Sequence, residues 1–204
     1  MPDMAARTGR PRGFDRDAAL EQAMLLFWER GYDTVSIRDL TEAMGITAPS
    51  LYTAFSDKQS LFEEAVEAYA RRYGAYIQEA IETEPTAYRA VRRLLAQAAI
   101  QQTLPGRPAG CLILNGATNH TTASGSIAAD LRARRTQTSS LIEGMILADI
   151  ERRELPADTD AHALATFSVA VWQGLSQLAR DGHDRQDLED VVATAMTTWP
   201  TGNP

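Results

Sequence analysis

Residues 45–62 read GITAPSLYTAFSDKQSLF, and the first half of this stretch decides the architecture. Thr47 is placed to cap a helix, and Pro49 falls in its first turn, where a missing N–H costs little. The helix this predicts, over 47–55, is too short to persist on its own. Ile46, Leu51 and Phe55 are its only good core residues. Neighbouring helices must therefore hold it through those three. Its other face carries Thr47, Ser50, Tyr52 and Thr53, a set of small hydroxyls and one aromatic.

Working outward, the preceding segments supply those neighbours. Asp15 offers an N-cap to RDAALEQAMLLFWERGY, in which Ala19, Leu20, Ala23, Met24, Phe27 and Trp28 recur at helical spacing. Gly31 stands where the chain leaves this helix, predicted over 16–30. Ser36, with Asp39 three residues on, resembles a capping box. The second helix then carries Ile37, Leu40, Ala43 and Met44 inward and ends at Gly45. After Asp57 a long helix follows, with Leu61, Phe62, Ala65, Val66, Tyr69, Tyr73 and Tyr76 or Ile77 as its stripe, continuing to about residue 83. Pro85 stops it.

Further along, residues 87–104 make a fifth helix. CLILNGATNH is a short apolar piece with no partner strand anywhere, so it too reads as helix. Helices over 126–153, 159–182 and 186–199 complete the chain. The fold class is all-α, with about nine helices. The expected division is an arm and helix-turn-helix domain over 1–60 and a second helical domain over 61–204.

Two short helices joined by a tight glycine turn form a helix-turn-helix pattern. On such a unit, Ser and Thr hydroxyls can bond phosphates or base edges, a Thr methyl can meet a thymine methyl, and a Tyr can reach a phosphate. The free N–H groups at the helix start favour phosphate as well. The formal net charge of −7 argues against a generally sticky nucleic-acid binder. The head of the chain is locally basic, however, with Arg7, Arg10 and Arg12 against Asp3 alone.

The stretch FWERGYDTVSIRDLTEAMGITAPSLYTAFSDKQSLF resembles the DNA-binding domain of the TetR family of bacterial transcriptional repressors. It carries the FxxxGY end of helix one, the second helix closing on Gly45, the SLYxxF third helix and the DKxxLF entry to the fourth. The resemblance implies that Ser36 and Arg38 touch the DNA backbone and that Thr47, Ala48, Pro49 and Ser50 face base edges. It implies that Tyr52 and Thr53 contact phosphate and the groove wall, that Lys58 contacts phosphate, and that Arg7, Arg10 and Arg12 form an arm beside the duplex. Many members have Lys where Ala48 stands and His where Thr53 stands, so the DNA sequence read is left open.

The same resemblance implies a ligand-binding and dimerisation domain, and hence double-stranded operator DNA, a second copy of the chain and an unknown small-molecule effector as partners. Apolar residues around most of ALATFSVAVWQGLSQLA favour a helix buried on more than one side. Val171, Leu175 and Leu178, with Val192, Ala195, Met196 and Trp199, are the expected dimer contacts. Tyr69, Tyr73, Tyr76, Gln102, Cys111, Asn115, Asn119, Met145, Phe167 and Trp172 are the candidate effector residues. Asn115 and Asn119 share a face, and a buried amide needs a partner, either a ligand or an internal cap.

Cys111 is the only cysteine, so an intrachain disulfide is impossible. Near a helix start its pKa would fall, which suits a thiol sensor; a small buried hydrophobe is the plainer role. A metal-responsive repressor using Cys111, with His120 joining it, and a small thiol enzyme using the same pair are the remaining alternatives. The second lacks an orienting acid and an oxyanion loop. Neither a metal nor a cofactor is expected. No apolar run approaches the roughly 20 residues that cross a bilayer, and the head has no signal core, so the expected location is cytoplasmic, on the nucleoid when bound to DNA.

Overall fold

The computed structural model describes residues 14–118 and 120–200, and every regular element among them is helical. Arg7, Arg10, Arg12 and Asn119 lie outside the described residues. Helices α1 (Arg16–Arg30), α2 (Ile37–Met44) and α3 (Ala48–Phe55) form the head, and their ends follow local chemistry. The Asp15 carboxylate accepts the Asp17 and Ala18 N–H groups at 3.0 and 3.1 Å. Ser36 and Asp39 close a reciprocal capping box on α2. Gly45 leaves α2 in the left-handed conformation that a side chain resists.

The long helix expected over about 57–83 is two helices, α4 (Lys58–Arg72) and α5 (Ala75–Thr83). The break lies at Gly74. The carbonyl of Tyr69 accepts both the Tyr73 N–H at 2.8 Å and the Gly74 N–H at 3.1 Å, which spends one acceptor on two donors and ends the helical ladder. A Cβ at residue 74 would sit 3.1 Å from the Ala70 carbonyl oxygen, so glycine permits this tight exit. Helix α6 (Ala87–Gln102) follows, its first N–H bonded at 2.7 Å by the buried Asp149 carboxylate.

Only Leu112–Asn115 of the CLILNGATNH segment is helical (α7), since the chain turns away at Gly116. Leu112, Ile113 and Leu114 are all buried, which explains the unbroken apolar run. A 3-10 turn at Thr122–Ser124 leads into α8 (Gly125–Glu151), α9 (Ala161–Arg180) and α10 (Arg185–Met196). The expected count of about nine thus becomes ten α-helices among the described residues, the extra helix coming from the break at Gly74.

One apolar core runs from the head into the body. Phe27 and Phe62 meet edge-on with centroids 5.0 Å apart, and Trp28 meets Tyr69 at 4.8 Å in the same way. Because α1 and α4 share this aromatic layer, the head is fixed to the body through packed side chains rather than a linker.

Candidate nucleic-acid interface and effector site

In the head, α3 buries Leu51 and Phe55 completely and leaves Tyr52 49% exposed. Thr47, Pro49 and Thr53 are exposed as well, with Ala48 and Ser50 half-buried. The hydroxyls are already engaged along the helix. Thr47 Oγ1 lies 2.9 Å from Ser50 Oγ, and Thr53 donates to the Pro49 carbonyl at 2.8 Å. Thr53 therefore offers an outside partner lone pairs, while its proton stays within α3. Tyr52 is the one large side chain on this exposed face.

Ser36 is similarly committed. The Asp39 carboxylate accepts its N–H at 2.8 Å and its hydroxyl at 2.5 Å. Those bonds hold the Asp39 carboxyl below the usual range although it lies at the surface. A phosphate taking the Ser36 hydroxyl would have to displace that carboxylate. Lys58 points back over the Tyr32 ring, its ammonium 4.3 Å from the centroid. Burial pushes its pKa down, against the pull of Asp33 and Asp39. Arg38 is exposed.

Several positioning residues carry no signal in the sequence pattern. Arg16 binds both oxygens of Glu64 at 2.8 and 2.7 Å, donates to the Ala54 carbonyl at 3.2 Å and lies 4.4 Å over the Phe55 ring. It thus ties α1, α3 and α4 together behind the exposed face. Tyr32 donates its N–H to the Gly116 carbonyl at 2.8 Å. Asp33 accepts the Thr121 N–H at 2.8 Å and the Ser124 hydroxyl at 2.6 Å. Burial works against the Asp33 carboxylate, but Ser124 and Thr121, backed by Lys58 and His120, outweigh it and hold its pKa down. The pairings join residues 38 to 91 positions apart, beyond the reach of local pattern, from the Arg16–Ala54 bond to the Asp33–Ser124 bond.

In the body, five of the candidate effector residues converge. Tyr69 from α4, Gln102 from α6, Cys111 before α7 and Trp172 from α9 are all buried. Tyr76 from α5 is a half-exposed residue whose hydroxyl end faces Trp172 and Gln102. Among the described residues, neither amide atom of Gln102 nor Nε1 of Trp172 has a hydrogen-bond partner. Such orphans are uncommon in a core and call for a partner. Burial raises both tyrosine pKa values, and the facing Cys111 thiol raises them further.

Cys111 corrects one expectation. It caps a helix of only four residues, and burial pushes its thiol pKa up; Tyr69 and the α7 N–H groups only oppose this. Its N–H is donated to Ser176 Oγ at 2.9 Å. His120, by contrast, is exposed.

Models of the family described as bacterial regulatory proteins, tetR family, match residues 19–65, and the tetracyclin repressor-like C-terminal domain matches residues 87–196. The transcriptional repressor ComR of Escherichia coli K12 is 36% identical over 196 residues, covering 94% of this chain and 92% of the relative. The chain belongs to the TetR family of bacterial regulatory proteins. The repressor BdcR of the same organism is 31% identical over 187 residues, covering 92% of this chain and 88% of its own. A solved structure of the TetR regulator CifR, a cysteine mutant complexed with 26-bp double-strand operator DNA, matches with a TM-score of 0.87. It is 40% identical and covers 94% of this chain and 100% of that one.

Within this TetR-family chain, other expected residues fall elsewhere. The Tyr73 hydroxyl donates to Glu21 at 2.8 Å, toward α1 and away from the orphaned amide. Phe167 is 38% exposed on the outer face of α9, because the helix turns Ser168 and Val169 inward instead. Met145 is half-buried against the core. Asn115 has an internal partner, donating to Ser176 Oγ at 2.7 Å.

Five of the seven expected dimer contacts are spent within the protomer. Leu175 is fully buried within the protomer, and Val192, Ala195, Met196 and Trp199 are nearly so. Val171 and Leu178 pack half-buried against the same core. Helices α9 and α10 both pack on α6, and α9 also on α8, and they spend their larger apolar side chains there. The surface they leave open carries Ala163, Phe167, Ala170 and Gly174 on α9 with Val191 and Thr194 on α10.

Proposed function

We propose that this TetR-family protein is a homodimeric, ligand-responsive transcriptional repressor that binds a pseudo-palindromic operator. Its half-sites would lie about 34–36 Å apart or a multiple of this. The observation that carries the reading is α3: a helix too short to stand alone, shored from behind by Leu51, Phe55 and the Arg16–Glu64 pair, with Tyr52 and its hydroxyl face turned outward. ComR and BdcR are both named repressors, which supports the sign of regulation. The assigned DNA contacts are Ser36, Arg38, Thr47, Ala48, Pro49, Ser50, Tyr52, Thr53 and Lys58, with the arginines of the arm. The reading head is assigned to 1–60 and the effector and dimer domain to 61–204, with a cytoplasmic location.

The effector site is assigned to Tyr69, Tyr76, Gln102, Cys111 and Trp172, on the strength of the unpartnered amide and indole. An effector releases the operator only by binding a different arrangement of the heads more tightly. Helix α4 links the two sites, with Lys58 at its DNA end and Tyr69 at its effector end. A gel shift over DNA upstream of its own gene tests the reading. A dimer that forms no specific complex at low salt would sink it.

A further inference from the structure

Helix α8 carries three arginines within four residues, and they are not treated alike. Arg134 donates to Asp130 at 2.9 Å and to Glu67, and these partners raise its pKa against the cost of burial. Arg132 and Arg135 have no carboxylate partner among the described residues. They lie one helical turn apart and share a cleft of about 340 Å³ between α7, α8 and α9. The polar side chains around it include His120, Asn115, Gln173 and Gln177, and no carboxylate lines it among the described residues. Gln177 donates to Asp181 at 2.8 Å, which is the nearest acid that the wall engages.

This arrangement is costly as it stands. Arg135 is half-buried, and its single side-chain bond among the described residues is to the neutral Ile113 carbonyl, at 2.9 Å. Burial lowers its pKa, and the like charge of Arg132 lowers it further. A half-buried cation facing another cation loses hydration without gaining an opposite charge, although the chain carries a net −7. An oxyanion would remove both penalties, since guanidinium forks match carboxylate and phosphate oxygens. The volume fits a small molecule rather than a polymer.

We propose that the α7–α8–α9 cleft is a binding site for a small oxyanion, a carboxylate or a phosphate ester, held by Arg132 and Arg135. The site is separate from the buried Gln102 cluster and does not depend on operator binding. It is therefore measured without DNA, so that its failure and that of the repressor reading are told apart.

Calorimetric titration of the full chain with benzoate, phenyl phosphate and benzyl alcohol at constant ionic strength tests it. Saturable heat is expected from at least one of the two anions and not from the neutral alcohol. The preferred anion tells carboxylate from phosphate. Arg132→Gln, at an exposed side chain with no bond to the fold, should weaken that binding about tenfold, the loss of one charge-assisted contact. Arg135→Gln should weaken it too, but also frees the Ile113 carbonyl, so Arg132→Gln decides. The proposal is overturned if neither anion gives saturable heat, if the alcohol binds as well, or if Arg132→Gln leaves binding unchanged. It is also overturned if Arg132→Gln weakens self-association instead, since a carboxylate of a second copy would then fill the cleft.

Discussion

Gln102 sits in the core with neither its side-chain oxygen nor its nitrogen bonded among the described residues. Replacing it by Leu removes two orphaned polar atoms and keeps much of the shape. The variant should be as stable as the parent or more so, by about 1 kcal/mol, and should lose its response to effector. Urea unfolding checks the first part; a clear loss of stability would mean that the amide already has a partner. Tyr52 makes the opposite case. It is 49% exposed, so Tyr52→Ala should leave stability within about 0.5 kcal/mol. Operator affinity in a gel shift should drop about tenfold, the loss of one charge-assisted phosphate bond. Unchanged affinity would remove Tyr52 from the interface. Cys111 adds a pH dependence. Burial raises its folded pKa above the unfolded value, so its contribution is fully present below the ordinary thiol range and is lost as pH rises through the folded pKa. The urea midpoint should fall above about pH 8.5, and less steeply in Cys111→Ala. Equal slopes would show that the thiol does not titrate against folding.

At the scale of elements, what the sequence reveals depends on how local its cause is. The starts of α1, α2 and α3 were legible because Asp15, Ser36 and Thr47 each cap N–H groups within three residues. The break at Gly74 was not, because the apolar stripe continues across it from Tyr73 to Ile77 and only backbone crowding against Ala70 marks the exit. The buried cluster around Gln102 was legible in part: Gln102, a polar residue on an apolar face, was a signal, whereas the directions of Tyr73 and Phe167 follow from how α4 and α9 are rotated in the bundle. The clasp from Asp33 to Thr121 and Ser124 left no trace, since its partners are remote in sequence. That clasp joins the end of α1 to the turn after α7, so it sets how firmly the head is held. Asp33→Ala removes the bonds from the Thr121 N–H and the Ser124 hydroxyl, leaving these groups only their longer contacts with each other, and should cost about 1–2 kcal/mol. Hydrogen exchange should speed up at residues 116–124 and at the end of α1 while the core of α6 stays protected. Uniform acceleration would show that the contact supports global stability rather than the joint.

For the whole molecule, the question is which surface a second copy covers. Helical periodicity identified α9 as apolar on too many sides, and that much was sound. It could not apportion the sides, because Leu175 and Gly174 are neighbours in sequence and face opposite ways: Leu175 is fully buried, while a Cβ at residue 174 would meet nothing within 4 Å. The two positions therefore separate protomer from dimer. Leu175→Ala leaves a hole in the protomer core and should cost about 2–5 kcal/mol of unfolding free energy. Gly174→Arg replaces a helix-weakening residue at an open site, so the protomer should fold at least as well. It also places a charged side chain on the small-residue face of α9, where close helix approach depends on having no side chain. Sedimentation should show Gly174→Arg as a monomer. Its operator affinity should fall steeply, because a single head gains only one half-site and loses the effective concentration that linkage gives the second. A Gly174→Arg protein that stays dimeric would place the partner surface elsewhere, and the open face of α10 around Val191 and Thr194 would be the next to carry the charge.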